Sequence, residues 1–419
     1  MRPIVRALLA ASLLGSAVAV LAPVSASAAD KPSPEVAKYL LGAQKALAAK
    51  DLDGALGDVK QAQAVSERTP YDDYLINSFL AEIYIEKNDY ASADAPMEAA
   101  ADSPVLPDDQ KKSAISNAFQ LAMSAAHYQK ALGYAQQLQA MNALDTKFYS
   151  RVALAYYELK DMPHAQQYAQ MSIDASKAAG QPPDENMLKI VMNGAMQQND
   201  QAGTQTALEN IAVQYNQADN WSRLIDFTLG TKGLKELDEL NLLRLKFLIP
   251  GAMRAEDYDP LASVANLMGY ATESKNVLEK GIHDGAITAA QAGPSYVQAR
   301  NGAATDAREL NTIAAQAAHA KTGEADIKLA EDYWGYGRYA DAEVAARRAI
   351  SKGGMKDPHE APTLLGMLQA AQGKYADAQQ TLGQVDGSAA RKATAHVWSL
   401  YAQAQMKAQG STAQAPAPH

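Results

Sequence analysis

Residues Leu329–Ile350 read LAEDYWGYGRYADAEVAARRAI, and the order of side-chain sizes in this stretch decides the fold. Ala330, Ala342 and Ala349 are small where two helices approach most closely; Leu329, Tyr333 and Tyr339 are bulky enough to fill the gaps beside those contacts. Gly335 and Gly337 stand between two helical patterns, where a tight turn needs residues tolerant of positive φ. The small residues are separated by 12 and then 7 positions, and that spacing recurs along the chain. Gly366, Ala378 and Val385 repeat it, with Tyr375 three residues before the middle position. Ala81, Ala93 and Ala100 repeat it with Tyr84 and Tyr90, and Ala153, Ala165 and Ser172 repeat it with Tyr156. Looser copies run through Ala43, Ala55 and Ala62, and through Phe119, Ala131 and Leu138.

This pattern resembles the tetratricopeptide repeat (TPR), a helix–turn–helix unit of about 34 residues. The resemblance implies an all-α fold: a TPR-type right-handed superhelical solenoid of helical hairpins, with the first helix of each pair lining a concave face. Residues 29–181 hold the N-terminal array, whose copies are punctuated by Thr69-Pro70, by Pro104 and Pro107, and by Gly180-Gln181-Pro182-Pro183. Over 182–322 the helical period persists but Met192 and Thr204 replace small residues, so this middle reads as degenerate repeats or as an inserted helical domain. Within it Tyr258–Lys280 reads as one helix, and Gly281–Gly285 and Gly293-Pro294 as turns. Two clean repeats return over 323–387, residues 388–409 form a capping helix carrying Val397, Trp398, Leu400 and Tyr401, and 410–419 reads as a disordered tail.

Residues 1–28 carry Arg2 and Arg6, the apolar run Ala7–Leu21, and small residues at Ala26-Ser27-Ala28, the layout of a cleaved secretory signal. The apolar run is shorter than the roughly 20 residues that span a bilayer comfortably. With 38 basic and 47 acidic residues the formal charge is −9, and removal of Arg2 and Arg6 makes it more negative still. An acidic chain without a basic stripe is a poor partner for nucleic acid or anionic lipid. The absence of cysteine excludes disulfides, thiolate metal sites, a cysteine nucleophile and a lipidated cysteine. The expected address is the periplasm, with no stable membrane insertion after cleavage. Tyr71–Ile85 (YDDYLINSFLAEIYI), Asn220–Leu229 (NWSRLIDFTL) and Leu242–Ala252 (LLRLKFLIPGA), followed by the clean C-terminal repeats, resemble a group of exported bacterial TPR proteins. Some of that group are encoded beside TonB–ExbB–ExbD systems, which energise outer-membrane uptake. That resemblance brings no site residues with it.

Motifs for chemistry dissolve on inspection. Gly335-Tyr336-Gly337-Arg338-Tyr339-Ala340 matches G-x-G-x-x-A but follows a helix, whereas a dinucleotide site needs a strand there. His359-Glu360 begins H-E-x-x-H, yet Thr363 stands where the second histidine is required. Asp51-Leu52-Asp53-Gly54 lacks the further carboxylates of a calcium loop. The pairs Asp72-Asp73, Asp108-Asp109 and Asp238-Glu239 lie near helix starts, where they complement free N–H groups and the helix dipole. Trp221, Trp334 and Trp398 read as packing residues, with sugar stacking as the alternative. No catalytic residue, metal site or cofactor is expected.

The residues one, four and five positions after the first small residue line the groove of a TPR array. Here they include Gln44, Glu82, Glu86, Gln120, Tyr157, Glu158, Asn193, Gln197, Glu331 and Trp334. Amides, carboxylates and aromatics in that arrangement suit a protein or peptide ligand. The expectation is a non-enzymatic scaffold for protein–protein interactions. A glycan-binding accessory and a glycan-active enzyme housed in the middle region are the alternatives.

Overall fold

The structure is a computed structural model and describes residues 31–106 and 108–413. The signal-peptide reading of 1–28, and residues 414–419 of the tail read over 410–419, lie outside the described residues. Among the described residues all regular structure is helical, and the chain divides into two compact units at the Gly194/Ala195 junction.

The first unit is built from hairpins: α1 (Pro34–Ala48) with α2 (Leu52–Ala64), α3 (Pro70–Glu86) with α4 (Tyr90–Ala101), α5 (Asp108–Ser124) with α6 (Tyr128–Ala140), and α7 (Thr146–Glu158) with α8 (Met162–Ala178). The following helix α9 (Glu185–Gln197) contains the junction. Each hairpin closes where the sequence places small residues: Ala43, Ala55, Ala62, Ala81, Ala93, Ala131, Ala153 and Ala165 are all 0% exposed. A larger side chain at such a contact would force the helix axes apart. Phe119 takes the place of the small residue in the third hairpin; it is fully buried and meets Phe148 edge-on, ring centroids 5.4 Å apart.

One turn joins the helices of each pair. Lys50, Asn88, Ala126 and Lys160 adopt φ of 60°, 61°, 59° and 65°. The next amide, at Asp51, Asp89, His127 and Asp161, donates to the carbonyl five residues back, at 2.9, 2.8, 2.8 and 2.9 Å. This is the Schellman arrangement, which satisfies carbonyls at the end of the first helix. Asp51, Asp89 and Asp161 then cap the second helix by accepting from the amides of Gly54, Ser92 and His164. The polar turn residues thus terminate one helix and start the next within three positions.

The second unit comprises α10 (Gln201–Gln214), α11 (Ala218–Leu229), α12 (Glu236–Leu248), a 3₁₀ turn at Ala255–Asp257, α13 (Tyr258–Leu267), α14 (Ala271–His283), α15 (Ala289–His319), α16 (Glu324–Gly335), α17 (Tyr339–Lys352), α18 (Glu360–Ala371), α19 (Tyr375–Leu382) and α20 (Ala389–Ala413). The stretch expected as one helix over Tyr258–Lys280 is two. Gly269, at φ +86°, and the Tyr270 amide bonded to the Ala265 carbonyl at 2.8 Å make the repeat turn there. At the expected turn, Gly293 leaves helical geometry (φ +52°, ψ −146°), and the helix resumes through Pro294 to His319.

The two glycines of the decisive stretch do different work. Gly337, at φ +69°, makes the turn. Gly335 is the last residue of α16 and allows α14 to approach: a Cβ there would lie 3.1 Å from the Glu273 amide nitrogen. Helix α20 does more than cover a last apolar face. It packs on α18 and α19 and also on α10, α11 and α12, and it continues to Ala413, past the 409/410 boundary read from the sequence.

Replacing Ala81 by leucine inserts three carbons into a hairpin contact that is fully buried. A destabilisation of about 1–3 kcal/mol is expected in chemical denaturation; an unchanged midpoint would refute the assigned repeat register.

Candidate functional site

In the first unit, α1, α3 and α5 present their faces to a cavity of about 500 Å³. Gln44, Glu82 and Gln120, one from each helix at equivalent positions, line it together. Its floor is apolar, with Leu40, Leu75, Met97 and Phe148 contributing, and Tyr74 and Phe79 stand beside it. The hydroxyls of Ser78, Ser113 and Ser116 add polar points, and that of Ser78 donates to the Tyr74 carbonyl at 2.8 Å. Burial pushes the Glu82 carboxyl above its ordinary pKa, and the neighbouring charge of Glu86 adds to this. Glu82 makes no hydrogen bond or ion pair with the described residues.

The other residues expected in a groove do not join this cavity. Glu86 pairs with Lys50 at 3.5 Å. Tyr157 and Asn193 meet each other, the Asn193 amide donating to the Tyr157 hydroxyl at 3.4 Å, while Glu158 is exposed. Gln197 is exposed at the end of α9. Glu331 and Trp334 are not on an open surface at all: they are 1% and 6% exposed.

The cause of their burial is a charged core that the sequence reading did not contain. From α12 the guanidinium of Arg244 donates to both Glu273 oxygens, at 2.8 and 2.6 Å, and to Asn241 Oδ1 at 3.0 Å. It lies 2.7 Å from Glu331. The rings of Tyr270 and Trp334 stand 5.5 and 5.0 Å from the guanidinium carbon. Burial opposes the charge on Arg244, but Glu273 and Glu331 outweigh it and hold the group protonated. On the same helix the Lys246 ammonium binds Asp226 at 2.6 Å and Asp257 at 2.7 Å. Asp238, read from the sequence as a carboxylate near a helix start, is indeed in the first turn of α12, but it is buried and paired with Arg391 of α20 at 2.7 Å. Trp398 of α20 donates to the Asn241 carbonyl at 2.8 Å and meets Trp334 edge-on. The face of α16 that would line a groove is therefore filled by α12 and α20. The signal in sequence was Arg244 and Lys246 amid apolar LLRLKFL, charges at positions too apolar for a solvated face.

The three tryptophans are packing residues: Trp221 and Trp398 are fully buried, and Trp334 nearly so. No described helix is long and apolar enough to cross a membrane, and no group of three metal-ligating side chains is brought together among the described residues.

Repeated hairpins with small residues at the contacts and one turn geometry define an all-α fold of TPR-type helical hairpins. No protein-family profile matches the chain, and the comparison with curated proteins found no match. Among solved structures, the apo form of RapI aligns over 65% of this chain and 99% of its own, at 12% identity and a TM-score of 0.32. A tetratricopeptide repeat protein from Parabacteroides merdae aligns over 78% and 98%, at 12% identity and 0.28. The TPR domain of P58(IPK) aligns over 91% and 93%, at 14% identity and 0.24. Similarity this slight carries no weight of its own; the assignment rests on the hairpins themselves.

Two outcomes follow from the charged core. Arg244→Met leaves Glu273 and Glu331 buried without their cation, an expected loss of about 3–5 kcal/mol, whereas Arg244→Met with Glu273→Gln and Glu331→Gln recovers part of it in urea titration. Glu360, held by burial and by the charge of Glu331 at a pKa of about 7, is above the ordinary carboxyl value. Its contribution to stability is present in acid and is lost as pH rises through 7. Glu360→Gln is therefore expected to raise the thermal midpoint more at pH 8 than at pH 5; an equal shift at both would disprove that assignment.

Proposed function

We propose that this protein is an exported, non-enzymatic TPR-type scaffold that holds a segment of a partner protein in the groove of its first unit. The observation that carries this reading is the convergence of Gln44, Glu82 and Gln120, from the first helices of three successive hairpins, onto one apolar-floored cavity. A cavity of this size with a few placed polar groups is of the kind that binds ligands. The second unit covers its corresponding face with its own chain, which leaves the first unit as the binding element. The layout of residues 1–28 supports secretion and a periplasmic address. The resemblance to exported TPR proteins suggests TonB-linked uptake as the process served.

A photo-crosslinking residue at Gln120 is expected to trap one envelope protein, and the same residue at exposed Lys60 of α2 is not. Glu82→Lys combined with Glu86→Lys is expected to reduce that crosslink severalfold while circular dichroism shows unchanged helicity. Equal crosslinking from Gln120 and Lys60, or no effect of the double substitution, would sink the groove reading. Retention of the uncleaved chain in the cytoplasm on fractionation would refute the address.

A further inference from the structure

We propose that the segment bound in the first unit is an extended peptide with apolar residues on both sides of a single lysine or arginine, and that Glu82 receives its cation. This rests on the groove reading above and gives it a chemical class of partner. Among the residues lining the cavity, Glu82 is the carboxylate and Lys147 the cation. Lys147 is already engaged: its ammonium is 3.0 Å from Asp145 and 5.1 Å from the centre of the Phe148 ring. The cation that acts on Glu82, Lys50, is 76% exposed and pairs with Glu86 instead. Glu82 thus sits beside an apolar floor with no cation of its own, and burial raises its pKa. An unpaired, partly desolvated carboxylate is costly, and a guest ammonium or guanidinium relieves that cost. A guest carboxylate would be repelled by both Glu82 and Glu86.

The polar lining argues for an extended guest: the side-chain amides of Gln44 and Gln120 can pair with free backbone groups, which a helical guest has already satisfied within itself. An extended backbone must satisfy its amides and carbonyls. With no strand among the described residues to pair with, it must use side chains, and Gln44 of α1 and Gln120 and Ser113 of α5 line the space. Leu40 and Phe148 receive the flanking apolar groups.

The test uses the purified protein and a random heptapeptide display library. Selection is expected to enrich peptides with one basic residue between apolar ones. A synthetic peptide of the selected sequence should bind about tenfold tighter than its Lys→Gln (or Arg→Gln) counterpart in fluorescence polarisation, a difference typical of a hydrogen-bonded charge. Glu82→Gln should abolish that difference while retaining the binding of the neutral peptide. Ser113→Trp, at an exposed position on the rim, should fill the cavity and weaken both peptides. Selected peptides without a basic residue, or a tenfold preference that survives Glu82→Gln, overturn the cation assignment and leave the groove reading standing. Failure to select any peptide that Ser113→Trp weakens overturns the groove reading, and this inference with it.

Discussion

The structure depends on how closely two helices can approach. In most hairpins the closest contact is made at alanine or glycine, with Ala81, Ala93, Ala330 and Ala342 fully buried; at Gly366 even a Cβ would lie 2.5 Å from Leu382 Cγ. Close axes bring the ends of the two helices within three residues of each other. That demands a left-handed residue in the turn and an amide returning to the carbonyl five residues earlier. Tyrosines beside the contact fill what the small residues leave open. Because these interactions join sequence neighbours, the fold is assembled from local pieces without disulfides.

The second unit combines that local logic with a long-range closure. Helix α20 reaches back from the C-terminus to α12, joined by Arg391–Asp238 and Trp398–Asn241, pairs 153 and 157 residues apart. On α12 also stands the Arg244 guanidinium, whose planar fork binds Glu273 in two-point fashion while Tyr270 and Trp334 flank it. Apolar stacking alone tolerates sliding of one helix along another, whereas a buried fork with two carboxylates is satisfied in one register. The consequence for function is direct. Residues on α16 that a free solenoid would show to a partner are consumed by the protein's own core.

The first unit keeps its groove open. Its polar side chains come chiefly from α1, α3 and α5 and stand around an apolar floor. None of them is arranged as a nucleophile with a base, and the perturbed carboxyl of Glu82 owes its shift to burial and to Glu86.

The sequence alone determined the helical hairpins, because the 12-and-7 spacing of small residues and the polar turn residues act within a few positions of one another. It also brought Gln44, Glu82 and Gln120 to equivalent places in three repeats, since repetition carries one residue's environment to the next. What it did not contain was which of those places stay open. Glu331 and Trp334 occupy groove positions as valid as Glu82, and nothing local to them distinguishes the two cases. Their burial is decided by Arg244 and Trp398, side chains dozens of residues away whose charge and bulk find partners after α12 and α20 have docked. Local order follows from short-range sterics and hydrogen bonding, whereas the occupancy of a surface depends on long-range contacts that form once the chain has closed on itself.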